Sequence, residues 1–225
     1  MDFSLATIVL WAVPVVFAIT LHEAAHGYVA RMFGDQTAWM LGRVTLNPIK
    51  HIDPVGTVLV PGMLVAVAAL THTPAFIFGW AKPVPVNFGN LRNPKRDMFW
   101  VAAAGPGSNI VQALVWALAA KLIQDSDSNS IVAQFWFMVA LAGISWNVVL
   151  AVFNLFPILP LDGGRMITSL LPNRLAYQFS QLERYGMVIL IGLIILMIAV
   201  PPLGNAVMGV MNGVMGLIVS IYGLE

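Results

Sequence analysis

Long apolar runs alternate with short polar stretches along the chain. The runs at residues 5–31, 98–123 and 131–156 are long enough to cross a bilayer as helices, which takes roughly 20 mostly apolar residues. Two further runs, 187–200 and 203–222, meet at Pro201-Pro202 and form one or two spans. Residues 54–78 are also apolar, but Pro61, Gly62, His72 and Pro74 interrupt them. The polar stretches between the runs carry a different signal. Residues 41–48 have strand-like composition and end in turn residues, and Pro83 and Pro85 alternate with Val84 and Val86, which suits an extended edge segment. The pattern predicts an all-α polytopic membrane protein with about five to six transmembrane helices, a re-entrant segment and short membrane-associated strands. The candidate strands are Val44–Leu46 and Val84–Val86.

Composition agrees with a membrane setting. Of the 225 residues, 59% are hydrophobic and 9% charged, too few charges to cover the surface of a soluble domain. A net charge of +1 argues against a nucleic-acid partner, which needs a basic patch. The absence of cysteine excludes disulfides and thiolate metal sites. Met1-Asp2-Phe3 lacks the basic start of a signal peptide, so the first run reads as a retained helix. With no repeat and no long linker, residues 1–225 read as a single membrane-embedded domain. Its catalytic core is expected at about 5–165 and its C-terminal helices at about 186–222.

The chemistry concentrates at His22-Glu23-Ala24-Ala25-His26, near the end of the first predicted helix. Residues i and i+4 share a helix face, so both imidazoles can reach one metal ion, and Glu23 lies beside them as a candidate general base. Ionisable residues inside a span are costly and usually functional. A catalytic zinc normally takes three protein ligands, so two histidines leave one to find. His51 and His72 are available, and so is Asp162, which follows a span and precedes Gly163-Gly164, where the backbone can turn tightly. The competing reading of Asp162 is an Asp-Gly turn at a helix exit.

His22-Glu-Ala-Ala-His26 together with Asn154-x-x-Pro157-x-x-x-Leu161-Asp162-Gly163 resembles the site-2 protease family of intramembrane zinc metalloproteases. Ala104-Gly-Pro-Gly-Ser-Asn109 and Gly79-Trp-Ala-Lys-Pro-Val-Pro-Val86 resemble its compact bacterial and archaeal members. The resemblance covers roughly residues 15–165. It implies that His22, His26 and Asp162 bind Zn2+, that Glu23 is the catalytic base, and that Asn154 contacts the substrate. It implies a multi-pass enzyme of the cell membrane. The expected substrates are single-span proteins: anti-sigma factors, membrane-tethered regulators or remnant signal peptides. A rival reading is a zinc-binding membrane scaffold or carrier without hydrolysis, which would have no use for a base at Glu23.

Parity orders the spans. Asp162 can meet His22 and His26 only if the helix ending at Phe156 exits on the side where the first helix ends, so 54–78 cannot make a single crossing. Charge supports this arrangement. Arg31, Arg43, Lys50, Lys82, Arg92, Lys95, Arg96, Arg165, Arg174 and Arg184 all fall on the inner side, leaving only Lys121 of the 11 basic residues outside.

Overall fold

The computed structural model describes residues 5–71, 79–126 and 130–224. Among them, five helical stretches are long and apolar enough to cross a membrane: Val9–Met32, Pro94–Gln124, Ile131–Asn154, Asn173–Ala199 and Pro201–Tyr222. The first lies within α1 (Leu5–Met32). A short α2 (Thr37–Met40) and α3 (Val60–Thr71) precede the long α4 (Pro94–Gln124) and α5 (Ile131–Asn154). Then come α6 (Asp162–Leu170), α7 (Asn173–Ser180), α8 (Gly186–Ala199) and α9 (Pro201–Tyr222).

Local chemistry sets the helix ends. Pro94 and Pro201 open α4 and α9 within the first helical positions, where a missing N–H costs nothing. Pro201-Pro202 therefore separates two helices rather than kinking one. The Ser130 side chain caps α5 by accepting from Ala133 N at 3.1 Å. Gly223, at φ 58°, closes α9 in the left-handed conformation.

Helix α4 is the centre of the bundle and packs against α1, α5, α6 and α9. Ala113, Ala117 and Ala120 of α4 are fully buried in one cluster with Ala140, Ile144 and Val148 of α5 and Val207 and Met211 of α9. In a bilayer, helices gain nothing by hiding from water, so close packing of small residues must hold them together. Gly143 shows how close: a Cβ there would lie 2.4 Å from the Trp116 ring. Large apolar residues such as Val111, Leu122 and Ile198 are exposed on the outside, where the bilayer would cover them.

The expected strands are not present. Among the described residues the chain forms no β-strand: residues 44–46 are bends and 79–86 are irregular. The two segments do run close together, but side chains join them. Arg43 Nη2 donates to Lys82 O at 2.7 Å and Pro83 O at 3.3 Å. Pro83 and Pro85 have no N–H to give a ladder, and the Val84 N–H between them is taken by Glu23 at 2.7 Å. An alternation that reads as an edge strand is thus an irregular strap pinned by side chains.

Residues 54–71 form a π-helical turn, Pro54–Leu59, and then α3, an apolar helix outside the five long ones. Asp53 starts the turn by accepting from Val55 N and Gly56 N. The chain then comes back: Trp80 N donates to Gly56 O at 3.1 Å, Thr57 Oγ1 donates to Trp80 O at 2.8 Å, and Lys82 N donates to His51 O at 2.9 Å. Residues 72–78 of the expected re-entrant segment, His72 among them, lie outside the described residues. Asp35 ties this layer to α1. Fully buried, it accepts from Thr37 N, Thr37 Oγ1, Asn87 N and Asn90 Nδ2.

Candidate metal centre

Three elements bring the predicted residues together. Helix α1 presents His22, Glu23 and His26 within little more than one turn. Helix α5 ends at Asn154, the chain turns through 155–161, and α6 begins at Asp162. Gly163 and Gly164 are what bring Asp162 close, through space rather than through an unusual φ. A Cβ on Gly163 would lie 2.2 Å from Leu155 O, and one on Gly164 would lie 2.5 Å from Leu159 N. Any side chain there would push α6 off the turn and carry Asp162 away.

His22, His26 and Asp162 are buried, with 7%, 9% and 8% of their surface exposed. Their donor atoms form a nearly equilateral triangle. His22 Nε2 and His26 Nε2 are 3.1 Å apart, and Asp162 Oδ2 lies 3.3 Å from the first and 3.4 Å from the second. The hydrogen bonds behind the rings decide what these atoms carry. Asn109 Nδ2 donates to Asn147 Oδ1 at 2.8 Å and to Ala18 O at 3.2 Å, so its Oδ1 faces His22 Nδ1, at 2.6 Å, as an acceptor. Asn147 is oriented in turn by donating to Gly143 O at 2.9 Å. Val101 O, which can only accept, sits 2.7 Å from His26 Nδ1. Both Nδ1 atoms therefore carry a proton, which leaves both Nε2 atoms as the positions that can bind a metal ion. Asp162 Oδ2 is buried and has no hydrogen-bond partner among the described residues. Three potential ligand atoms converge in a buried pocket, the Asp162 oxygen among them without a hydrogen-bond partner, which is the arrangement a bound cation would satisfy.

Glu23 is half-buried in the same cavity of about 140 Å3. Its Oε2 accepts from Val84 N, which orients the carboxylate against the strap. Asn154 also lines the cavity, its amide donating to Leu150 O at 3.0 Å. His51 stands apart: it is buried, its Nε2 meets Thr45 O at 3.0 Å, and it belongs to no metal-ligating group. Among the described residues, the one group of three side chains able to share an ion is His22, His26 and Asp162.

Some contributors are hard to see in the sequence. Asn109 and Asn147 read as interhelical hydrogen-bond partners, and the structure gives that network an end at His22. Gly105 reads as a helix-packing residue, yet a Cβ there would lie 2.4 Å from His26 Nε2 and 2.6 Å from His22 Cε1. The cue available is the density of small and amide residues in an otherwise apolar run.

The donor set fits zinc. Two imidazole nitrogens and a carboxylate oxygen are ordinary zinc ligands, and three ligands at about 2.0–2.1 Å in tetrahedral directions lie roughly 3.3 Å apart. Comparisons with known proteins agree. The model of peptidase family M50 matches residues 120–199. The Bacillus subtilis protein named "Putative zinc metalloprotease YwhC" is 38% identical over 202 residues, which cover 87% of this chain and 82% of that one. Rip2 of Mycolicibacterium smegmatis is 26% identical over 79% of this chain and 63% of its own length. Rip2 of Mycobacterium tuberculosis H37Rv is 28% identical over 65% of this chain and 51% of its own. No solved structure matches the chain. Identity of 38% over most of both chains, together with the family-model match, shows that the chain belongs to peptidase family M50, the site-2 proteases, and is a multi-pass membrane metalloprotease with zinc as its cofactor.

Proposed function

We propose that the chain is an intramembrane endopeptidase that cuts within the transmembrane segments of single-span proteins, with His22, His26 and Asp162 as its zinc ligands and Glu23 as its general base. The observation that carries the reading is the triangle of three potential ligand atoms sharing one small cavity with the Glu23 carboxylate, on helices long and apolar enough to cross a membrane. Bound zinc supplies Lewis acidity, which acidifies water and polarises a peptide carbonyl. Glu23 takes a proton from the attacking water as its oxygen bonds to the carbonyl carbon, then passes that proton to the leaving nitrogen. The Val84 N–H holds one carboxylate oxygen, and in this reading the other takes the proton. Asn109 and the Val101 carbonyl keep both Nε2 lone pairs pointed inward. Asn154 lines the cavity, and in this reading the amide N–H not taken by Leu150 O donates to the carbonyl being cut.

A helix shields its own peptide bonds, so a substrate has to unwind before its backbone can enter this cavity, and its freed groups then need partners. The substrate class follows: single-span segments with helix-weakening residues, such as those of anti-sigma factors, membrane-tethered regulators or remnant signal peptides. The test is reconstitution of the zinc enzyme in liposomes with a model single-span protein, followed by mass spectrometry of the products. The reading expects cuts inside the apolar segment that vanish with Glu23→Gln. Cuts confined to flanking soluble sequence would overturn the intramembrane part of it.

A further inference from the structure

Arg165 is left over from this account. It lies one turn beyond Asp162 on α6 and lines the same cavity, where it is the one arginine or lysine. Such a charge beside the reacting groups is unusual unless it has a task. Its Nη2 donates to Glu183 Oε1 at 2.8 Å, and its guanidinium carbon stands 5.4 Å from the centre of the Phe88 ring, which lines the cavity too. Its other N–H groups make no hydrogen bond among the described residues. The pair with Glu183 is partly open, the two side chains being 31% and 45% exposed, and ion pairs this wet are weak. A guanidinium fork with spare donors matches a carboxylate bidentately.

We propose that Arg165 is a specificity residue that reads an acidic side chain of the substrate, exchanging Glu183 for an aspartate or glutamate close to the bond being cut. The proposal rests on the endopeptidase reading above. Glu183 then acts as a placeholder: it keeps the guanidinium extended across the cavity when no substrate is bound and competes with the carboxylate that replaces it. The bland alternative is a brace between α6 and the chain before α8. The two differ in a way that experiment can see. A brace is broken equally from either end, so Arg165→Gln and Glu183→Gln should behave alike. A reader and its competitor should move in opposite directions.

The experiment uses the zinc-loaded enzyme and a series of single-span model substrates, identical except for Glu, Gln or Lys walked through the residues around the scissile bond. The wild type should prefer Glu to Gln at one position by roughly tenfold in kcat/KM, expressed mainly in KM, with Lys worse than either. Arg165→Gln should erase that preference, and Glu183→Gln should widen it. No position with a preference for Glu, a preference that survives Arg165→Gln, or a narrowing by both variants would overturn the proposal while leaving proteolysis itself in place. If the wild type cuts no member of the series, the single-span reading fails and this proposal with it. Zinc content of each variant controls for loss of the site.

Discussion

Asn109 offers the sharpest way to perturb the metal centre without touching a proposed ligand. Replacing it with Ala removes the acceptor 2.6 Å from His22 Nδ1, strands Asn147 Oδ1, and takes one of the donors from Ala18 O, which keeps Gln112 Nε2 at 3.4 Å. Two costs compete. Loss of three buried hydrogen bonds destabilises the bundle, but polar contacts between membrane helices average only about 0.6 kcal/mol each, so roughly 2 kcal/mol in all and a folded protein. Loss of the outer partner of a metal-binding histidine costs about 10–100-fold in metal affinity, or about 1.4–2.7 kcal/mol. The prediction is therefore a folded Asn109→Ala enzyme whose zinc Kd rises by about one to two decades. The assay is competition against a chromophoric chelator in detergent. Asn147→Ala is the control: it disturbs the same network yet leaves His22 its partner, so its Kd should move by no more than about threefold. A zinc Kd for Asn109→Ala within twofold of wild type would refute the reasoning and mean that packing alone orients His22.

Three further outcomes follow. Gly105→Ala should abolish stoichiometric zinc binding, because the new methyl falls on the imidazoles; full metal content by elemental analysis would contradict this. Asp35 is pushed up by burial, but donors from Thr37, the Asn87 backbone and Asn90 outweigh this and hold its pKa below the ordinary value. A depressed carboxylate adds stability above its unfolded pKa and loses it as pH falls through the folded one, so the Tm of the wild type should drop more steeply below about pH 4 than that of Asp35→Asn; parallel pH profiles would argue otherwise. Because the chain has no cysteine, single cysteines report sidedness cleanly. In intact cells an impermeant thiol reagent should label Ser126→Cys and spare Asn93→Cys, and the reverse pattern would contradict the positive-inside assignment.

Much of the site is readable in the sequence because the information is local. The four-residue spacing of His22 and His26 is a helix-face statement, and α1 is a helix, so both rings meet on schedule. Asp162 lies far along the chain and was reachable through its motif and its position after a span. What lies behind the rings is another matter. The contact from His22 to Asn109 and that from His26 to Val101 depend on how α4 crosses α1, which no local pattern encodes. The strands were misread for a related reason. Alternating Pro and Val suggests an edge strand at 83–86, but whether a segment joins a ladder depends on its partners, and here the partners are Arg43 and Glu23 side chains. Pro201-Pro202 left two arrangements open, and α8 and α9 are packed together as separate helices.

The account stands on the division of labour between a metal-binding triad and a separate base. The most direct test is a paired measurement of zinc stoichiometry and turnover on purified wild type, Glu23→Gln and Asp162→Ala. The expected result is one zinc per chain with no cleavage for Glu23→Gln, and loss of both zinc and cleavage for Asp162→Ala. An Asp162→Ala enzyme that keeps stoichiometric zinc at unchanged affinity, or a Glu23→Gln enzyme that turns over normally, would contradict it.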